Sequence, residues 1–319
     1  MDNVTYKKII IPSSLHPDTI LGIFFLKKFG NDKYPGIENA EIEIRQVLSE
    51  DETSASLKEK GAICLDVGDG DLDHHTKEGK ILSELVAEDL GILNDPALSK
   101  LLAYAERDDK YGMGTISTDH IDRAFGLSGL ISSLNKTMEN PEKILQILFP
   151  VLEAHYLEER KRTNDLPIEF NKQLQEGTAE IFDVKQGQKK LKVVILESDN
   201  VSMPGWLKSS MGQRADVVCQ QKSSGYTNIL TKQFKRIDLR WLAAYLRDEE
   251  MQLRKRNVKY SVYDLMKPGK IADVPEWYYD RATNSILNGG VNPKGIEPTM
   301  IPFERIKMIA KEALFRKFI

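Results

Sequence analysis

A chain of 319 residues is long for one ordinary core, so two domains are expected, and a charged fraction of 29% with no apolar run of bilayer length argues against a membrane-spanning protein. Only two cysteines occur, Cys64 and Cys219, which leaves no disulfide framework and no CxxC metal site; with no signal peptide legible behind Lys7 and Lys8, a cytoplasmic protein is expected. The net charge of −3 hides an asymmetry: residues 181–260 carry sixteen Lys and Arg against eight Asp and Glu, so an acidic part able to hold cations is joined to a basic part able to hold anions.

In chain order, Lys7 to Pro12 reads as a buried strand and Asp18 to Phe29 as a helix, with Ile20, Leu21, Phe24 and Phe25 at helical spacing. Glu41 to Val47 alternates acids or polar residues with Ile42, Ile44 and Val47, and Ala62 to Val67 is a second continuous apolar run. Strand, helix, strand, strand in this order predicts β-α-β units and a largely parallel sheet. Helices are expected over Lys80 to Leu90 and Ala97 to Glu106, the latter opened by Asn94-Asp95-Pro96, and a charged helical stretch over Pro141 to Gln175. Past Gly177 the pattern restarts with a strand over Lys192 to Leu196, a helix over Trp206 to Met211, strands over Asp216 to Gln220 and Thr227 to Thr231, and a helix over Leu239 to Arg256. A turn-rich segment holding Trp277, Tyr278, Asn288, Gly289 and Gly290 precedes a last helix from Phe303.

The most informative motif is Asp73-His74-His75, seven residues beyond Asp66, which closes the apolar run Ala62 to Leu65. Imidazole and carboxylate together suit hard or borderline divalent ions, and a strand end followed by a loop can bring them together. The competing reading is a solvated turn, Gly68-Asp69-Gly70-Asp71, that happens to end in histidine. His16-Pro17-Asp18 lies in the turn after the first strand, where Asp18 is either a ligand or a helix cap. Asp108 and Asp109 precede Gly112 and are either a further ligand pair or a solvated helix end. In an open α/β sheet the carboxyl ends of the strands meet at one crevice, so His16, Asp18, Asp66, His74 and an acid of the 108–109 pair can converge there on one or two divalent ions.

In order and spacing, Ile10-Ile11-Pro12 leading to His16-Pro17-Asp18, then Leu65-Asp66-Val67-Gly68, Asp73-His74-His75 and Glu106-Arg107-Asp108-Asp109 resemble the four motifs of the DHH phosphoesterases. Leu15 to Asp18 and Gly126-Leu127-Ser128 through Leu134-Asn135 are most similar to the melanocyte-proliferating-gene exonuclease branch. The resemblance covers residues 7–160 well and the remainder loosely. It implies that Asp18, Asp66, His74 and Asp109 ligate metal, that His16 stands where an acid is common, that His75 faces the substrate phosphate, and that Asp73 orients the histidines. One departure is Pro12, at a position where the family usually has a histidine four residues before that of His16, which puts one of two metal positions in doubt.

The second domain offers Lys222-Ser223-Ser224-Gly225 between two strands, with Arg214 nearby in sequence, and Asn288-Gly289-Gly290. Glycines let backbone amides approach an anion, while Asn-Gly is also an ordinary hairpin turn. The resemblance implies a substrate role for the glycine pair. Trp277, Tyr278 and Tyr279 either stack on a base or belong to the core.

The expectation is therefore an α/β protein with a parallel-sheet DHH phosphoesterase-like domain over residues 1–165, a linker over 166–189, and a smaller α/β DHH-associated domain over 190–319. The expected activity is manganese-dependent (or magnesium-dependent) hydrolysis of phosphodiesters in short single-stranded oligonucleotides or nucleotides. A nucleotide-binding regulatory protein without turnover and a pyrophosphatase-like phosphohydrolase are the alternatives. Expected partners are phosphate compounds or short single strands, with no membrane; oligomeric state, a homodimer included, is left open.

Overall fold

A computed structural model describes residues 4–12, 15–112, 114–290 and 294–316. It divides the chain into two compact units, Met1–Arg160 and Lys161–Ile319. In the first, strands β1 (Lys8–Ile11), β2 (Glu41–Ile44) and β3 (Ala62–Cys64) form a wholly parallel sheet in the order β2-β1-β3. Helices α1 (Pro17–Phe29) and α2 (Ser54–Glu59) intervene between these strands. The central place of β1 explains its run of three isoleucines, since Ile9 and Ile11 pack with one hydrophobic cluster and Ile10 with another. The edge strand β2 keeps alternation, Glu-Ile-Glu-Ile. The cluster holding Ile9 and Ile11 also takes in α1, α3 (Leu82–Asp89), α4 (Ser99–Tyr111), part of α6 (Leu127–Thr137) and α7 (Pro141–Arg160). A short α5 (His120–Phe125) precedes α6.

The second unit opens with α8 (Leu166–Glu176) and β4 (Ala179–Gln186), so the linker expected over 166–189 is instead a helix and an edge strand. Charged residues at Glu180, Asp183 and Lys185 had disguised that strand, because an edge strand with one wet face needs no continuous apolar run. Its partners are β5 (Lys189–Glu197), β6 (Val217–Gln221), β7 (Thr227–Thr231), β8 (Gly269–Ile271), β9 (Val274–Asp280) and β10 (Ser285–Asn288), in the order β4-β5-β6-β7-β10-β9-β8. Only β5 and β6 run parallel in this mixed sheet. Val193 and Ile195 of β5 face a cluster that includes α10 (Arg240–Leu253), α11 (Val262–Leu265) and α12 (Phe303–Phe315). Val194 and Leu196 face α8 and α9 (Met203–Lys208) on the opposite side. The segment expected to be turn-rich is thus three strands, and the two units are nearly equal in length, 160 and 159 residues.

No helix among the described residues is long and apolar enough to cross a membrane. Both cysteines are free and buried.

Candidate metal centre

Because the first sheet is parallel, the carboxyl ends of β1 and β3 open on the same edge, and the sequence motifs follow those ends. Asp66 lies two residues beyond β3, with φ +54 and its N–H donated to the Leu72 carbonyl at 3.0 Å, which closes the intervening loop. Gly68 within that loop has φ +81, a conformation that favours glycine, and a Cβ there would press on the tip of the Leu48 side chain. The loop is therefore packed on the fold, and it returns the chain to deliver the histidines.

Among the described residues, Asp66, His74 and His75 form a cluster whose candidate ligand atoms all lie within 4.8 Å of one another. His74 presents its backbone N–H and its Nδ1 to Asp66 Oδ1 at 3.2 and 2.7 Å. Asp73 accepts from the backbone N–H of Asp69 and of His75, and meets His75 Nδ1 at 3.0 Å. A carboxylate only accepts, so each ring donates through Nδ1 and keeps Nε2 for another partner. The two rings stack with centroids 4.3 Å apart; His74 is 20% exposed at its side chain and His75 65%. Asp73 holds the His75 ring, and Asp66 holds that of His74.

Asp18 is 4% exposed, and its two oxygens accept the backbone N–H groups of Leu82 and Ser83 at 2.8 and 2.9 Å. It caps α3 and not its own helix, whose N-cap is His16 without a side-chain bond. Burial raises the Asp18 carboxyl above its ordinary value, against the lowering effect of its bonds to Ser83 and Leu82, and the charge of Asp109 raises it further. Burial likewise raises Asp66, although bonds from His74 oppose it. At His74 burial alone would lower the pKa, but the Asp66 bond and the charges of Asp66, Asp109 and Asp18 carry it upward. Asp18, Asp66, His74 and Asp109 thus share one electrostatic neighbourhood.

The 108–109 pair divides. Asp109 is exposed and its charge is felt at both Asp18 and His74, whereas Asp108 Oδ1 accepts the Ser128 hydroxyl at 2.6 Å. Ser128 also takes part with Tyr104, so Asp108 ties α4 to α6. Asn135, further along α6, donates Nδ2 to the Leu15 carbonyl at 2.6 Å and so braces the turn before His16, a role that no local pattern marked. His16 is exposed, and His16, Asp18 and Asp109 all lie outside the Asp66, His74 and His75 cluster, Asp18 and Asp109 reaching it through their charge. Pro12 ends β1 half-buried, and the two residues after it lie outside the described residues.

In the second unit the expected substrate residues separate. Lys222 to Gly225 is the β6–β7 hairpin turn, in which Gly225 N–H bonds to the Lys222 carbonyl and Ser223 N–H is taken by Asp199. An aspartate already occupying that loop argues against an anion there. Arg214 precedes β6 and Lys222 follows it, so the two stand at opposite ends of that strand. Asn288 is 2% exposed; it donates to the carbonyls of Glu276 and Glu297 and accepts from Thr299 N–H. Its side chain fastens the segment after β10, and Gly289 and Gly290, at φ +78 and +95, follow the strand without forming a hairpin between two strands of the sheet. Trp277 is fully buried with Nε1 on Glu250, and Tyr279 is buried too, which makes both core residues.

Neither a scan against protein-family models nor a search of curated proteins gives a match to this chain.

Proposed function

We propose that the first unit is a metal-dependent phosphoesterase that hydrolyses phosphodiester bonds in short single-stranded oligonucleotides or nucleotides. The observation that carries this reading is the Asp66–His74 pair at the carboxyl edge of a parallel sheet, coupled by charge to Asp18 and Asp109. The donor set fits manganese or magnesium: three carboxylates and one imidazole, no thiolate, and two of the carboxyls raised by burial in a way that a cation would relieve. Asp66, His74, Asp18 and Asp109 would hold the ion. Bound there, a divalent ion supplies Lewis acidity toward a phosphoryl group and lowers the pKa of a water molecule. In its imidazolium form His75 would donate Nε2–H to a phosphate oxygen while Asp73 accepts from Nδ1 and fixes the ring, and Asp108, Ser128 and Asn135 keep α4, α6 and the His16 turn in place.

The test is hydrolysis of a short oligoribonucleotide, an oligodeoxyribonucleotide and pyrophosphate in manganese, with His74→Ala beside the unmodified protein. Oligonucleotide cleavage that needs manganese and disappears in His74→Ala is expected. Cleavage that survives the substitution, or that needs stoichiometric zinc, would remove the assignment. A second reading, binding without turnover, is favoured by Pro12 and by the exposed His16 outside the cluster; it predicts manganese binding with every substrate left intact.

A further inference from the structure

The basic stretch of the sequence gathers at one end of the seven-stranded sheet, opposite the end that carries Asn288 to Gly290. The starts of β5, β6 and β10 and the ends of β7 and β9 meet there, as the register of these strands requires. Two clefts open at this end, of about 480 and 680 Å3. The first is lined by Lys190, Lys192, Arg214, Lys232 and Lys235 against Asp183 and Asp216. The second holds Arg236, Arg240 and Arg281 against Asp238. Each of these acids already has a cation of the chain: Asp183 has Lys190, Asp216 has Lys235 at 2.7 Å, and Asp238 has Arg240 at 2.7 Å. Lys192, Arg214, Arg236 and Arg281 are the surplus.

Between the clefts runs the turn Gln233–Lys235, closed by Arg236, and in it Phe234 is 79% exposed. A phenylalanine that far into water contributes nothing to the core. Arg214 and Arg236 hold φ +55 and +44, where glycine or asparagine would be the easier residue, so the turns themselves do not call for arginine. Lys208 lies within reach of the charge of Lys232, which adds to burial in holding it below the ordinary lysine range.

We infer that this end of the second sheet is a docking surface for single-stranded nucleic acid, with phosphates in the two basic clefts and a base stacked on Phe234. Cations that follow a backbone around an exposed aromatic ring suit a strand whose bases are unpaired, whereas a duplex offers no free base face and a phosphate polymer without bases makes no use of the phenylalanine. The inference rests on the phosphoesterase reading only for what becomes of the strand, not for its binding.

The test is fluorescence anisotropy of the full chain with a labelled twelve-nucleotide oligothymidylate in metal-free buffer containing EDTA. His74→Ala is included, so that failure of the hydrolytic reading leaves this measurement untouched. Binding is expected to be equal in the unmodified protein and His74→Ala, about tenfold weaker in Phe234→Ala, and restored in Phe234→Trp. Arg214→Gln and Arg236→Gln should each make the slope of log affinity against log salt shallower by about 0.7, the share of one phosphate contact on a single strand. These residues are exposed, and unchanged tryptophan fluorescence checks that the unit stays folded. Absence of binding, or binding indifferent to Phe234→Ala and to both arginine variants, would overturn the inference. Equal affinity for inorganic polyphosphate with no dependence on Phe234 would overturn it as well, by assigning the band to a polymer without bases.

Discussion

Two pairs of acids, one pair in each unit, are held in opposite ways, although the first unit also has Glu159, 4% exposed and paired with Lys100 at 2.7 Å. In the second, Glu276 is 3% exposed and lies 3.3 Å from Arg254 and 2.6 Å from Arg256; burial works to raise it, but these arginines hold it below the ordinary glutamate value. Glu250, fully buried, receives Arg254 Nε, Trp277 Nε1, the Thr299 hydroxyl and Met300 N–H. In the first unit Asp18 is buried and Asp66 half-buried, with backbone amides and one imidazole for company, and both are raised. An acid whose cation comes from the chain holds the fold together. An acid buried at a strand end without such a cation is costly to the fold and suited to an ion from outside.

The largest effect expected from breaking this contrast is on the structural side. Arg247, fully buried, donates to the carbonyls of Leu265, Lys267, Gly269 and Trp277, and burial lowers its pKa to about 10. Arg247→Met should strip those carbonyls of their donors and destabilise the second unit by roughly 3–5 kcal/mol. All three tryptophans, Trp206, Trp241 and Trp277, lie in that unit, so the loss is read as an earlier urea midpoint in tryptophan fluorescence, with manganese affinity unchanged. A smaller effect is expected at Asp18, where Asp18→Ala frees two amides of α3 and should cost the first unit about 2 kcal/mol by circular dichroism. Asp18→Asn keeps an acceptor and should cost less.

The contrast sharpens in its dependence on pH, measured without metal. Glu276 has a folded pKa below its unfolded value of 4.5, so its contribution is complete above that value and is lost as pH falls through the depressed folded pKa. Asp18 and Asp66 have folded pKa values above 3.8, so their penalty is complete above those folded values and lifts as pH falls toward 3.8. Tryptophan-monitored stability should therefore decline on acidification through that range, while these two groups oppose any decline in the first unit. A first unit that loses stability through Asp18 and Asp66, shown by a flatter acid profile in Asp66→Asn, would contradict the sign.

How far the sequence discloses this arrangement depends on how local each feature is. β1 and α1 are legible because their apolar spacing is unbroken, and Asp73 with His75 because a turn of three residues contains the whole contact. Asp18 is legible as important but not for its partner, since the amides it caps lie 64 and 65 residues later in α3. The separate roles of Asp108 and Asp109 depend on Ser128, twenty residues on in α6, a helix that the sequence pattern did not announce. β9 was hidden by Pro275 near its start and by Asp280 at its end, which resemble turn punctuation although the intervening residues alternate in burial.

The central claim, that the raised acids around His74 await a cation, is tested most directly by manganese titration calorimetry on the metal-free protein. The unmodified chain and His120→Ala, whose ring is 94% exposed and remote from the motif in sequence, should bind alike, while Asp66→Asn and His74→Ala lose affinity by more than about a hundredfold. If all four proteins bind manganese equally, or if none binds it, the acids of the first unit are not a metal site and the account built on them is wrong.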